Sequence, residues 1–95
     1  MPAYVLGELY VTDTAQFDTY RTQGAASIAQ YGGRMLAAGG NAELLDGNPV
    51  PELSIIIEFP DAAAARRWYG SPEYQAARAI RLKSSLGRVF LIERM

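Results

Sequence analysis

The stretch EFPDAAAARRWYGSPEYQAARAIR, from Glu58 to Arg81, decides the fold. It leaves a strand predicted over Leu53 to Phe59, whose centre is Ile55-Ile56-Ile57, a β-branched run that suits a pleated surface. Pro60 closes that strand because proline lacks the N–H that a sheet ladder needs. Asp61 offers a side-chain oxygen to the free N–H groups of a helix start, so a short helix is predicted through Trp68-Tyr69. Gly70 breaks it. Ser71 and Pro72 restart helix, serine as N-cap and proline at the first position, where no N–H is required. Tyr74, Ala77 and Ile80 carry on a buried stripe. Gly87 is expected to end this second helical piece.

Working outward, Ala3 to Val11 alternates as a strand, with Val5, Gly7, Leu9 and Val11 on one face and Tyr4, Leu6, Glu8 and Tyr10 on the other. Asp13 follows as an N-cap, with Gln16 as its capping-box partner. The helix after it sets Phe17, Tyr20, Gly24, Ile28 and Tyr31 along one stripe, and Gly32-Gly33 stops it. Arg34 to Ala38 is a second strand. Gly39-Gly40 marks a bulge or bend, and Ala42 to Leu45 continues the strand or folds back. Asp46-Gly47-Asn48-Pro49 is a turn by composition. Arg88 to Glu93 is the last strand. No repeat or low-complexity linker interrupts the chain, and residues 1–95 read as one domain.

The predicted order is β-α-β-β-α-β with the second helix broken at Gly70-Pro72. This is an α+β, ferredoxin-like pattern, a four-stranded antiparallel sheet with helices on one face. The face away from the helices would carry Tyr4, Leu6, Tyr10 and Ile56. An apolar sheet face of that kind rarely stays bare. Isologous pairing of two such sheets covers it and produces a barrel-like homodimer with a cavity between the sheets.

Four segments carry a family resemblance: AYVLGELYVTD at the start, SIAQYGGR at Ser27 to Arg34, EFPD…A…RWYGSPEYQ…R at Glu58 to Arg81, and GRVFLIE from Gly87. Together they cover nearly the whole chain, and WYGSPEYQ after EFP is the most specific. The chain resembles the DUF1330 family, within the dimeric α/β-barrel superfamily. That resemblance implies a fold and a dimer, and no reaction. Related superfamily members include cofactor-free isomerases and monooxygenases, haem-dependent monooxygenases and stress-associated proteins. Several of them rely on a histidine, so their mechanisms do not carry over.

Composition narrows the chemistry. Nine basic and ten acidic residues give a formal charge of −1, and the basic residues, eight arginines and Lys83, are scattered. That balance argues against a nucleic-acid partner. The chain has no cysteine, hence no disulfide frame and no thiolate nucleophile or metal ligand. It has no histidine, which removes the commonest general base near neutral pH and the commonest axial ligand for haem. No cofactor and no metal are expected. MPAYVLGELYV has no basic n-region, and no apolar run approaches the roughly 20 residues that span a bilayer. The default reading is a soluble, cytoplasmic protein with no membrane partner.

The remaining chemistry rests on carboxylates, tyrosines and arginines. Glu8 and Glu58 fall on the face predicted to look into the inter-subunit cavity, where desolvation raises a carboxylate pKa and an arginine lowers it. Either is a candidate general acid or base acting on a small substrate. The competing reading pairs each with an arginine such as Arg34 or Arg88. Arg34 is a candidate fork for an anionic ligand, or a salt-bridge partner at the sheet edge. Tyr4 and Tyr10 would line the same cavity and offer hydroxyl donors. Trp68, Tyr69 and Tyr74 flank the helix break. They either fill the core or place one ring and one hydroxyl at a cavity mouth. Two functions follow as expectations. One is a small-organic-ligand site, extending to cofactor-independent proton transfer. The other is a non-catalytic dimeric module for binding, sensing or assembly.

Overall fold

A computed structural model describes residues 1–93. Alternation along β1 (Ala3–Val11) buries Ala3, Val5, Gly7 and Leu9 and leaves Tyr4, Leu6, Glu8 and Tyr10 half-buried on the opposite face. Helix α1 (Thr14–Gln30) is followed by β2 (Arg34–Gly39) and β3 (Leu53–Phe59). Two consecutive helices, α2 (Ala62–Gly70) and α3 (Pro72–Ser84), then lead into β4 (Ser85–Glu93). The strands form one antiparallel sheet in the order β2-β3-β1-β4, as the ferredoxin-like pattern requires.

The predicted helix punctuation is in place. Asp13, Asp61 and Ser71 each accept a hydrogen bond from the backbone N–H three residues on, at 3.1, 2.7 and 3.1 Å. The Gln16 side chain differs in detail: its amide donates to the Asp13 carboxylate at 2.9 Å instead of accepting from a backbone N–H. The two N–H groups of Gln16 hold the Asp13 carboxyl below its ordinary pKa.

The core lies between the sheet and the helices. Phe17, Tyr20, Gly24, Ser27 and Ile28 are the buried residues of α1, while Tyr31 stays at the rim and donates its hydroxyl to Glu73 at 2.8 Å. Trp68 is the largest fully buried side chain. Its indole N–H donates to Ser27 Oγ at 3.0 Å, and its ring lies 5.3 Å from Phe59 and 4.2 Å from Tyr74. Gly33 is needed because a Cβ there would come within 2.6 Å of the Phe59 ring and 2.9 Å of Ile28.

Two local expectations are corrected and a third is made specific. Ala42 to Leu45 forms no strand; it belongs to an exposed connection between β2 and β3. The glycine pair makes the bend, at Gly40 just after β2 ends, while a separate bulge falls between Met35 and Ala37 with Leu36 as the extra residue. Gly87 does not stop α3. The helix ends at Ser84 and β4 starts at Ser85, with Gly87 inside the strand at φ +135° opposite Leu9. There the close backbone of Glu8 demands glycine, and no helix terminus is involved.

Candidate functional site

The sequence-predicted candidates divide between the two faces of the sheet. On the open face, Glu8 lies opposite Arg88 on β4 and Glu58 opposite Arg34 on β2. Cross-strand register brings each carboxylate onto its arginine at 2.8 Å. The arginines remain largely solvent-exposed and the glutamates half-buried. Arg34 is therefore a cross-strand partner in this chain, and the ion-pair alternative describes both carboxylates. Between these pairs run Leu6, Ile56 and Phe90, with Tyr4, Leu86 and Ile92 beyond them; Leu86 and Ile92 are 67% and 47% exposed. This is the apolar face anticipated from the alternation of β1.

Tyr10 donates its hydroxyl to Val50 O at 3.0 Å, and Glu52 accepts from Val11 N at 3.2 Å. These bonds tie the β2–β3 connection across the sheet. A cavity of about 410 Å³ lies there, lined by Glu8, Tyr10, Asn48, Pro49, Gly87 and Arg88. Glu8 thus has a void beside it while paired.

A second cavity, of about 470 Å³, lies on the helix face, between α2 and β4. Its walls are mainly apolar: Val5, Ala65, Trp68, Tyr69, Val89 and Leu91. Arg66 lines it too and pairs with Glu93 at 2.9 Å, both well exposed. The chain break at Gly70-Ser71-Pro72 borders this cavity. Gly70 also lines it, and a Cβ there would meet nothing within 4 Å. The break lets α2 stand over the β4 edge while α3 packs against α1. Trp68 and Tyr69 line this space, and Trp68, 1% exposed, also packs in the core. Tyr74 does not line it. It is 1% exposed, and its hydroxyl lies 3.1 Å from that of Tyr20.

Tyr69 marks the polar side of this region. Its hydroxyl accepts from Arg78 Nε at 2.9 Å, and its ring sits 6.0 Å from Trp68 and 5.3 Å from Tyr74. Tyr69 also borders a smaller cavity of about 70 Å³, shared with Leu9, Val89 and Arg81. Arg81 is the residue that sequence reasoning missed. It sits in the buried helical series Tyr74, Ala77, Arg81, Ser84, and that spacing of three and four was the available signal.

Burial pushes both Tyr20 and Tyr74 above the ordinary tyrosine pKa, Tyr74 strongly, while the charge of Arg81 acts the other way on each. In the unfolded chain both phenols ionise near pH 10. Below that pH both states hold neutral phenols and their contribution is constant. Above it the unfolded chain alone releases protons, so native stability falls as pH rises. The melting temperature is expected to drop steeply from about pH 10 upward, with part of the phenolate absorbance appearing only as helix signal is lost. Full tyrosine ionisation with secondary structure intact would contradict this.

Among the described residues, no helix is long and apolar enough to cross a membrane, and no three acidic, cysteine or histidine residues cluster as a metal site.

The fold is shared with several solved structures. RPA0582, a protein of unknown function from Rhodopseudomonas palustris, is 17% identical, with a TM-score of 0.83 over 99% of this chain and 82% of its own. SnoaB, a cofactor-independent oxygenase from Streptomyces nogalater, is 17% identical, with a TM-score of 0.71 over 99% and 93%. A dimeric ferredoxin-like protein of unknown function from Thermobifida fusca YX is 16% identical, with a TM-score of 0.69 over 99% and 92%. At these identities the likeness concerns the fold alone. No curated protein shows significant similarity to the chain. The family model for DUF1330, a domain of unknown function, matches residues 2–95, and the chain belongs to that family.

Proposed function

We propose that this chain is a small-molecule-binding homodimer whose ligand occupies the cavity between α2 and β4. The observation that carries the reading is the cavity itself. About 470 Å³ of mainly apolar space, walled by Trp68, Tyr69, Val89 and Leu91, falls in the range of pockets that enclose small organic ligands. A flat apolar or aromatic molecule suits it best. A thermal-shift screen of such compounds should yield hits, because a ligand that binds only the native state raises the melting temperature by mass action. Val89→Phe, which fills the cavity, should abolish the shift while the unliganded protein still melts cooperatively. Hits that bind Val89→Phe equally well would move the site elsewhere.

SnoaB, a cofactor-independent oxygenase, supports the capacity of this fold for cofactor-independent chemistry. Following each hit by NMR separates the two uses: turnover of the compound supports an enzyme, and unchanged compound supports a binding module. Proton transfer by Glu8 or Glu58 has weaker support, since each is held by an arginine on the opposite face of the sheet. That pairing favours the assembly reading for the open face.

The dimer rests on that face. Leu6, Ile56, Phe90, Leu86 and Ile92 form an apolar surface bounded by two ion pairs, and a partner sheet would cover it. The Thermobifida fusca structure, a dimeric ferredoxin-like protein, supports a homodimer without indicating the face. In an isologous interface Leu6→Ala acts twice, so at about 2 kcal/mol per site the loss is about 4 kcal/mol and the dimer dissociation constant is expected to rise on the order of 1,000-fold. Light scattering across a dilution series reads this directly. A wild-type mass of one chain at micromolar concentration would refute the dimer.

A further inference from the structure

Arg81 has a buried side-chain nitrogen with no partner among the described residues. It is 7% exposed on the inner face of α3, and its Nε is buried with no hydrogen-bond partner. None of the ion pairs among the described residues includes it. Glu8, Glu58 and Glu93 are each committed to another arginine, and Asp13 and Asp61 cap helices. Its neighbours Tyr20 and Tyr74 supply no negative charge, because burial keeps both phenols protonated beyond the usual range. A buried N–H donor on a charged side chain is costly to leave unpaired, and such groups persist where something else completes them.

The space beside it indicates what that is. Arg81 borders the cavity of about 70 Å³, which shares Tyr69 and Val89 with the larger cavity between α2 and β4. That volume has room for an acid group in place of ordered water. A guanidinium recognises a carboxylate through paired N–H donors, and the strength of that contact grows as water is excluded.

We propose that Arg81 anchors the anionic group of the ligand, so that the site takes small organic acids with an aromatic or similarly apolar body. The body lies against Trp68, Tyr69 and Leu91, and the carboxylate or an equivalent oxyanion lies against Arg81. This rests on the reading of the larger cavity as the ligand site and adds the ligand's charge class to it.

The test compares 2-naphthoate with 2-naphthamide, a neutral molecule of the same shape, by titration calorimetry. The wild type should bind the carboxylate at least about tenfold more tightly than the amide, the size of a charge-assisted contact. Arg81→Gln should erase that preference, with circular dichroism confirming the fold. Arg81→Lys should restore part of it. Equal affinities in the wild type would overturn the charge class while leaving the cavity as a site. A preference that survives Arg81→Gln would overturn the assignment to Arg81. Failure of both compounds to bind would remove the cavity reading and this one together. Should Arg81→Gln not fold, the wild type decides: the Arg81 guanidinium NMR signals must shift with naphthoate and stay still with naphthamide, and the reverse overturns the proposal.

Discussion

Replacing Gly87 with alanine is expected to cost at least about 4 kcal/mol, an exceptional loss for the addition of one methyl group. Two effects combine. Gly87 has φ +135°, a region in which a non-glycine residue carries roughly 1–3 kcal/mol of strain. In addition, the new Cβ would lie 2.1 Å from the carbonyl oxygen of Glu8 and 3.0 Å from the Cα of Leu9. Those are backbone atoms of the neighbouring strand, so no side chain can rotate away, and the β1–β4 pairing must shift. For a domain of this size the melting temperature should fall by roughly 16 °C or more.

Gly47→Ala isolates the first effect. It shares the positive φ, at +86°, but its Cβ meets nothing within 4 Å, so the cost should stay near 1–2 kcal/mol. Gly39→Ala, with neither feature, should be close to neutral. Urea melts of the three variants check the order. If Gly87→Ala lost no more than Gly47→Ala, the steric account would fail.

The second large effect is expected at Trp68. Trp68→Ala should destabilise the protein by about 3–5 kcal/mol, because the ring is 1% exposed and packed against Phe59, Tyr69 and Tyr74. It should also weaken any ligand of the α2–β4 cavity, since it removes a wall. Trp68→Phe separates packing from polarity. It deletes the indole bond to Ser27, while Ser27 keeps its own donation to Gly24 O at 2.7 Å. That change should cost about 1 kcal/mol beyond the lost ring area. A midpoint shift at constant denaturant slope would confirm that the native state is what changed. Equal losses for the two variants would show that the hydrogen bond dominates over packing.

Strand β1 and the helix starts were legible because their signals are local. A side-chain period of two assigns Val5 and Leu9 to one face and Leu6 and Glu8 to the other whatever the strand pairs with. Asp61, Ser71 and Pro72 act on N–H groups two to three residues away, so the break in the second helix could be read directly. Gly87 misled for the opposite reason. A glycine after a helical stretch resembles a C-terminal stop, and what it serves is its pairing with Leu9, far back in the chain on β1.

The open apolar face could be deduced from alternation, as could the presence of two carboxylates on it. Their partners could not. The register that sets Glu8 opposite Arg88 and Glu58 opposite Arg34 is a long-range property, fixed only when β1, β2, β3 and β4 assemble. The candidate site shows the same division. Sequence supplied Trp68 and Tyr69 beside a helix break. Tertiary packing decided that the break borders a cavity on the helix face, and that Arg81, one charged residue in an otherwise ordinary stripe, is carried inward with its Nε unpaired among the described residues.

So the sequence by itself determined the elements, their order and the face each strand presents, because these follow from backbone chemistry within a few residues. The tertiary structure decided which charges meet, where empty space remains and which buried nitrogen is left unpaired among the described residues. Those depend on register and on the imperfect fit of α2 over β4, and neither is encoded within any short stretch of the chain.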